Sequence, residues 1–505
     1  MNGDVSRKNV RRLVSAGTIW CVVGAIGFST ALAQEDGSLF GRARRGGSRN
    51  PAPQMSEDDY IRQILQEEET APPAGKIPVE GEPGAPEPPG AAPAAPAAEE
   101  PKAEEAAAPP APWGLTDLFD DDAGGNWFKE NQWKFGGNID QSFTFNFQSP
   151  RDRFNGPVTW TDRSNDYQLN QLWWFAERAT DTSKKDFDLG GRFDIFFGTN
   201  SRFDTETGLE DNNINGGQAF YGIAIPQFYI EAAYKKLKVK MGHFISPVGY
   251  FTVDMTQNFF NTLPYTFQYG EPFTHTGVLA TYTPNDNWAF AAGTVRGWDN
   301  FDSSGVGTSN MAAIASATRT WKDKSSLYFF MIWSNEPNGF GTNVSSRYLQ
   351  TIVYSKPLTE KLNYVLQSDL GVQENTNNAV GGGTSRWYGV NQYLYYVQND
   401  KWTWGFNFEW FRDEEGFRVG GFLPIPPATP ANSATRGLPT NRVGYVGNFF
   451  QWTMGPKWQF HKNMFLRPNL RFDLFNGVST TGLKPYSDGN KNYQSILGTD
   501  LVILF

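Results

Sequence analysis

The chain has 505 residues, a formal charge of −9, a mean hydropathy of −0.50 and 15 % aromatic side chains. Beyond the N-terminus no apolar run approaches the roughly 20 residues a membrane-spanning helix needs. Helical spans in the mature protein are therefore excluded, whereas a barrel built of strands is not, because lumen-facing residues dilute its lipid-facing ones. Composition alone fits a large soluble β-sandwich or propeller as well.

Residues 1–33 read as a secretory signal. Arg7, Lys8, Arg11 and Arg12 make the positive region, Leu13 to Phe28 the apolar stretch, and Ala31-Leu32-Ala33 the small-residue cleavage site. The stretch is short for a membrane anchor, and Arg11-Arg12 alone is weak evidence for a twin-arginine signal. The single cysteine, Cys21, lies inside this segment. The mature chain then has no thiol, disulfide or cysteine-ligated metal.

Residues 34–126 hold 7 basic and 19 acidic residues, and residues 127–505 hold 33 of each. The acidity belongs to an N-terminal extension and disfavours a nucleic-acid partner. Within that extension, Ser56-Glu57-Asp58-Asp59 resembles a capping box opening a short helix near 57–69. Residues 71–112 are rich in Pro, Ala and Glu, which cannot bury a core and give a disordered or semi-rigid spacer. At about 3 Å per residue it reaches on the order of 100 Å. A periplasmic tether to the cell wall and an inert linker both fit it.

From Gln132 to Phe505 sixteen segments alternate with period two. Trp402, Trp404, Phe406, Phe408 and Trp410 share one face, with Thr403, Gly405, Asn407 and Glu409 between them. In the first segment Asn138, Asp140, Ser142, Thr144 and Asn146 alternate with Ile139, Phe143, Phe145 and Phe147. In the third, Asp186, Asp188, Arg192 and Asp194 alternate with Phe187, Leu189, Phe193 and Ile195. In the fifteenth, Arg467, Asn469, Arg471 and Asp473 alternate with Leu466, Leu470, Phe472 and Leu474. A Lys or Arg facing lipid at the midplane costs about 2–4 kcal/mol, so one face of each strand must meet water. The segments around Trp173-Trp174 and Tyr393-Tyr396 show no single clean face. Connections after even-numbered strands are short and those after odd-numbered strands longer, the asymmetry of a membrane barrel. The last strand ends on Phe505, a terminal aromatic expected to engage the barrel-assembly machinery. The expected fold is thus all-β: a transmembrane antiparallel barrel of about sixteen strands over 127–505, surrounded by outer-membrane lipid. A barrel of that size leaves an aqueous channel.

The third long connection, roughly Pro247 to Pro272, carries more aromatic surface than a solvated loop needs. We expect it to fold back and narrow the pore. Asp254 and Glu271 would then lie near the constriction, faced by wall cations such as Arg178, Arg192, Arg467 or Arg471. Asp140, Asp186, Asp188, Asp194, Glu409 and Asp473 are the other lumen-facing charges. Opposed charges of this kind screen solutes by size and sign.

Gly242-His243-Phe244-Ile245-Ser246-Pro247-Val248-Gly249-Tyr250, Asn258-Phe259-Phe260, the run from Gly270 to Ala280 and Gly297-Trp298-Asp299-Asn300 resemble the OmpL-like β-barrel porins, a planctomycete-type outer-membrane group. The resemblance covers roughly 130–505 and implies an outer-membrane pore for small hydrophilic solutes. It supplies no catalytic or ligand-binding residues.

Of the three histidines, His243 and His275 flank the third connection, where an acid/base or metal pair competes with two loop-anchoring side chains. No phosphate-binding glycine loop is found. The sequence therefore points to a non-enzymatic porin without a cofactor, passing ions and small solutes. Porins of this size often form homotrimers, and nothing in the sequence fixes that state here. The competing reading is a non-conducting structural or adhesion barrel tethered to the cell wall.

Overall fold

The computed structural model describes residues 114–120, 125–210, 220–302, 311–338, 343–421 and 443–505. The signal segment, the helix near 57–69 and most of the 34–126 extension lie outside the described residues.

Sixteen antiparallel strands form the wall. The first eight are β1 (Trp133–Asn146), β2 (Asp166–Arg178), β3 (Phe187–Gly198), β4 (Gly222–Tyr234), β5 (Leu237–Ile245), β6 (Thr274–Asn285), β7 (Trp288–Val295) and β8 (Ala312–Thr320). There follow β9 (Ser326–Pro337), β10 (Val344–Pro357), β11 (Leu362–Thr376), β12 (Gly383–Asn399), β13 (Trp402–Asp413) and β14 (Val443–His461). β15 runs over Met464–Leu466 and Asn469–Ser479, broken at Arg467-Pro468, and β16 is Tyr493–Leu504. Proline has no N–H to give to a ladder, which accounts for the break. Each strand pairs with its neighbours in sequence. β1 pairs with both β2 and β16, so that Asn138 lies opposite Trp173 on one side and Leu504 on the other, closing the cylinder.

Side chains alternate across the sheet because successive Cβ atoms point to opposite faces. On β1, Asn138, Asp140, Ser142, Thr144 and Asn146 are buried inward, while Phe143 and Phe145 are exposed outward. The aromatic face of β13 points outward, and Asn407 and Glu409 point in. Register sets the inward residues in rows across the strands. Gln367 pairs with Asn391, Asn391 with Glu409, Glu409 with Gln451, Gln451 with Asp473 and Asp473 with Gln494. The result is one continuous polar row from β11 to β16.

The two sequence segments without a clean face resolve into aromatics on both sides. Trp173 is inward and buried, donating to Asp194, while Trp174 is outward. Tyr393 and Tyr395 are inward, whereas Leu394 and Tyr396 are outward.

Tight turns at one end join β4 to β5, β6 to β7, β12 to β13 and β14 to β15. The connection 179–186, expected to be short, outruns 338–343 and 377–382 at the other end, so the length asymmetry is not uniform. Asp186 lies in that connection beside Lys235 with its side chain 70 % exposed, which puts it at the rim rather than on the lumen wall. The cause is that β3 begins one residue later, at Phe187.

Candidate functional site

The connection between β5 and β6, hereafter loop 3, is closed at its neck. Ser246 N–H donates to the Phe273 carbonyl (2.8 Å), and Ser246 Oγ lies 2.9 Å from His275 Nε2. The other ring nitrogen of His275 sits 2.8 Å from the Gly297 carbonyl. His243 faces the opposite way. It pairs in register with Thr276, and its Nδ1 is 2.8 Å from Thr276 Oγ1, against Phe228 and Phe301. The two imidazoles therefore occupy opposite faces of the sheet, and the geometry of an acid/base pair is not present. Among the described residues, no group of three or more His, Cys, Asp and Glu is arranged to hold a metal.

Past its neck, loop 3 leans on lumen-facing side chains. On β2, Gln171 accepts from Met255 N–H (3.1 Å) and donates to the Val253 carbonyl (2.7 Å). On β11, Gln367 accepts from Tyr250 N–H (3.2 Å) and donates to Glu271 (2.5 Å) and Asp369 (2.9 Å). On β13, the Glu409 carboxylate accepts from Tyr265 N–H and Thr266 N–H, both at 2.6 Å, and from Thr266 Oγ1 at 2.8 Å. These bonds hold the start of the π-helical turn Thr266–Gly270, whose last carbonyl accepts from Trp387 Nε1 (3.0 Å). Asn391 Nδ2 adds a bond to Thr266 Oγ1 (2.8 Å). The polar row is thus the seat on which the loop docks. Its far end is held by Tyr265, whose hydroxyl donates to Asp473 (3.1 Å) and meets Tyr486 (2.9 Å).

Two wall arginines grip loop backbone. Arg467 Nη1 donates to the carbonyls of Met255 (2.7 Å) and Asn258 (2.6 Å) while its other nitrogens pair with Asp500. Arg471 Nη1 donates to Leu263 O (2.6 Å) and Thr262 Oγ1 (2.8 Å) while pairing with Asp473. The loop carboxylates have local duties. Asp254 caps the turn Met255–Gln257, accepting from Thr256 N–H (3.1 Å) and Gln257 Nε2 (2.9 Å). Glu271 is buried beside Gly249, where a Cβ would stand 2.3 Å from Glu271 Oε1 and where φ is +73°. Glycine alone meets both demands there. Burial first, and then the Asp369 carboxylate, pushes Glu271 well above the ordinary range.

The structure gathers Asp254 and Arg467 at one side of the loop, and Arg471, Asp473 and Glu409 at the other. Arg178 and Arg192 pair elsewhere, with Asp188 (3.2 Å) and with Asp194 (2.6 Å) and Glu177 (3.4 Å) on β2 and β3. Asp140 is buried inward on β1, accepting from Asn170 (3.2 Å). Sequence reasoning missed Gln367, Asp369, Asn391 and Tyr486. The inward register of Gln367, Asp369 and Asn391 was a readable signal, but their loop partners were not.

Residues 132–505 match the family described as Putative beta-barrel porin-2, OmpL-like. The chain belongs to this family. It is a porin-type barrel of the outer membrane. In structure it is similar to the outer-membrane channel DcaP of Acinetobacter baumannii, at 12 % identity over 77 % of this chain and 99 % of that one, TM-score 0.46. It is also similar to OprB of Pseudomonas putida, at 13 % identity over 76 % and 98 %, TM-score 0.49. A third likeness is the anion-selective porin of Comamonas acidovorans, at 8 % identity over 74 % and 99 %, TM-score 0.48. No curated protein matches the chain. The family match covers the whole wall of this porin and every residue of loop 3.

Proposed function

We propose that this porin is a water-filled channel for passive diffusion of ions and small hydrophilic solutes, narrowed by loop 3. Asp254 and Glu271 from the loop and Arg467 and Arg471 from the wall surround the narrow part, and Arg192 lines the path nearer the periplasm, whereas Arg178, opposite Trp133 and Gly191, shares the outward face of Trp174 and is no longer a candidate for the constriction. The observation that carries this reading is the course of loop 3 from its neck at β5–β6 to Glu409 of β13, eight strands away round the cylinder of sixteen, with Gln171 of β2 and Gln367 of β11 holding it on either side. A loop held that way lies across the path a solute must take. The function needs no catalyst and no cofactor. We further propose that residues 1–33 are removed on export and that 34–126 form a periplasmic extension able to reach the cell wall. Phe505 engages the barrel-assembly machinery, and the barrels assemble as a homotrimer.

Planar-bilayer recording of the full chain tests the central claim. Discrete conductance steps are expected. Their absence from folded protein would favour the non-conducting structural barrel instead. Neutralising Asp254 is expected to move the reversal potential, and so is Glu271→Gln once the pH is high enough to ionise Glu271; unchanged values would remove those two groups from the constriction.

A further inference from the structure

β1 extends past the end of β16 at the periplasmic rim. Gly137 N–H and C=O bond to Phe505, at 2.7 and 3.0 Å. Alternate residues of a strand direct their backbone groups to the same neighbour. Phe135, two residues earlier, therefore aims its own N–H and C=O past Phe505, beyond the pairing with β16. Thr116 meets them. Its hydroxyl accepts from Phe135 N–H (2.8 Å) and donates to the Phe135 carbonyl (3.2 Å), capping the open edge with one side chain.

This docking lays a small amphipathic unit on the outside of the barrel. Phe135 lies on the outward face of β1, the face of Phe143 and Phe145. The Phe128 ring stands edge-on to Phe135 at 5.1 Å, and Phe119 packs on Phe128 at 4.7 Å. On the polar side, Lys129 pairs with Asp117 (2.8 Å) and Asp120 (2.7 Å), and Asn126 Nδ2 bonds Asp120 and the Thr116 carbonyl. The ionic groups of Leu115–Phe119 and Trp127–Glu130 thus mostly satisfy one another. Leu118, Phe119 and Trp127 are left 65 %, 50 % and 62 % exposed. Across the seam Trp174 and Phe505 continue the aromatic surface, with ring centroids 4.9 Å apart.

We propose that residues 115–120 and 125–130 form an interfacial anchor that seats Leu118, Phe119 and Trp127 in the zwitterionic phospholipid headgroups of the periplasmic leaflet, beside the β1–β16 seam. The exposed apolar side chains are continuous with the lipid-facing wall, which fixes the occupant as membrane. Aromatics with one wet edge partition to that depth. Asp117, Asp120 and Glu130 outnumber Lys129, so attraction to anionic lipid plays no part in the seating.

The test uses the full chain with Cys21→Ser and a single environment-sensitive label at Leu118→Cys, reconstituted in phosphatidylcholine vesicles. A label at Trp127→Cys is the second reporter, and one at Asp286→Cys, in an exposed turn, is the control. Folding of every variant is checked by heat-modifiable migration. Expected results are quenching by headgroup-region nitroxide lipids and aqueous iodide quenching several-fold weaker than at Asp286. Iodide quenching equal to the control would overturn the proposal. So would protection from iodide without lipid quenching, which would put a second copy of the chain on this surface.

Discussion

Arg467 and Asp500 form an ion pair with both side chains fully buried, 2.5 Å apart at closest approach, and the remaining guanidinium nitrogen is turned onto the backbone of loop 3. One residue of the wall thus ties the β15–β16 seam to the loop. Arg467→Met leaves the Asp500 charge buried without its partner, an imbalance costing about 3–5 kcal/mol. The expected outcome is a lower temperature for the heat-modifiable gel shift and noisier open-channel current. Unchanged values in both would show that the pair is dispensable.

Glu409 presents its carboxylate to three donors of loop 3. Hydrogen bonds to a charged group are worth about 1.5–3 kcal/mol each, less what water returns when they are lost. Glu409→Ala is expected to free the Thr266–Gly270 turn and raise its susceptibility to protease several-fold, with the barrel itself intact. Limited proteolysis in detergent reads this directly.

Glu271 gives a pH dependence with a definite sign. Burial, reinforced by Asp369 and more weakly by Glu409, raises its pKa in the folded protein, so the folded state binds a proton that the unfolded state releases. The stability it lends is fully present below the ordinary glutamate value, about 4.3, and is lost as pH rises toward the folded value. Loop 3 is therefore held most firmly in acid. Conductance measured from pH 4 upward is expected to grow or become noisier as pH rises, and Glu271→Gln is expected to flatten that part of the profile.

Adjacent residues of β13 offer a test of facing. Phe406 points to lipid and Asn407 to the lumen. Phe406→Arg is expected to cost about 2–4 kcal/mol if that position lies near the membrane midplane. Asn407→Ala, which touches no lipid and loses one bond to the Gln392 carbonyl, should cost far less. Refolding yield into vesicles separates the two.

Gly137 sits where the barrel closes. A Cβ there would stand 2.0 Å from the Trp173 carbonyl and 2.7 Å from the Phe505 ring. Neither the backbone on one side nor the packed terminus on the other can yield. Gly137→Ala is expected to cut the folded fraction sharply, as read by the gel shift, while Gly136→Ala, which meets the edge of a phenylalanine ring and the terminal carbonyl at 2.9 Å, should cost less.

The wall was legible in the sequence because period two is a local property. The faces of β1, β3, β13 and β15 follow from alternation alone, and register only confirms which side is wet. Trp173, Tyr393 and Tyr395 resisted assignment for a physical reason. They face inward, Tyr393 and Tyr395 pack against loop 3, and the lumen there is not simply water. The composition of loop 3 announced that it would pack on something. Its partners were hidden, since Gln367 and Glu409 lie 96 to 144 residues from the loop residues they bind and look like any other polar wall position. Arg178 and Arg192 were offered as partners for the loop on charge alone. Nearer carboxylates on β2 and β3 had taken them, a competition that spacing along the chain does not reveal.

Both legs of loop 3 leave the wall through a locked neck, and its body is fastened on facing sides of the cylinder. Such a span cannot peel away from one end. Any departure from its resting place must release the fastenings together, like a crossbar lifted from two brackets. Current through the pore would then switch between discrete levels with long dwell times, rather than drift in gradual increments.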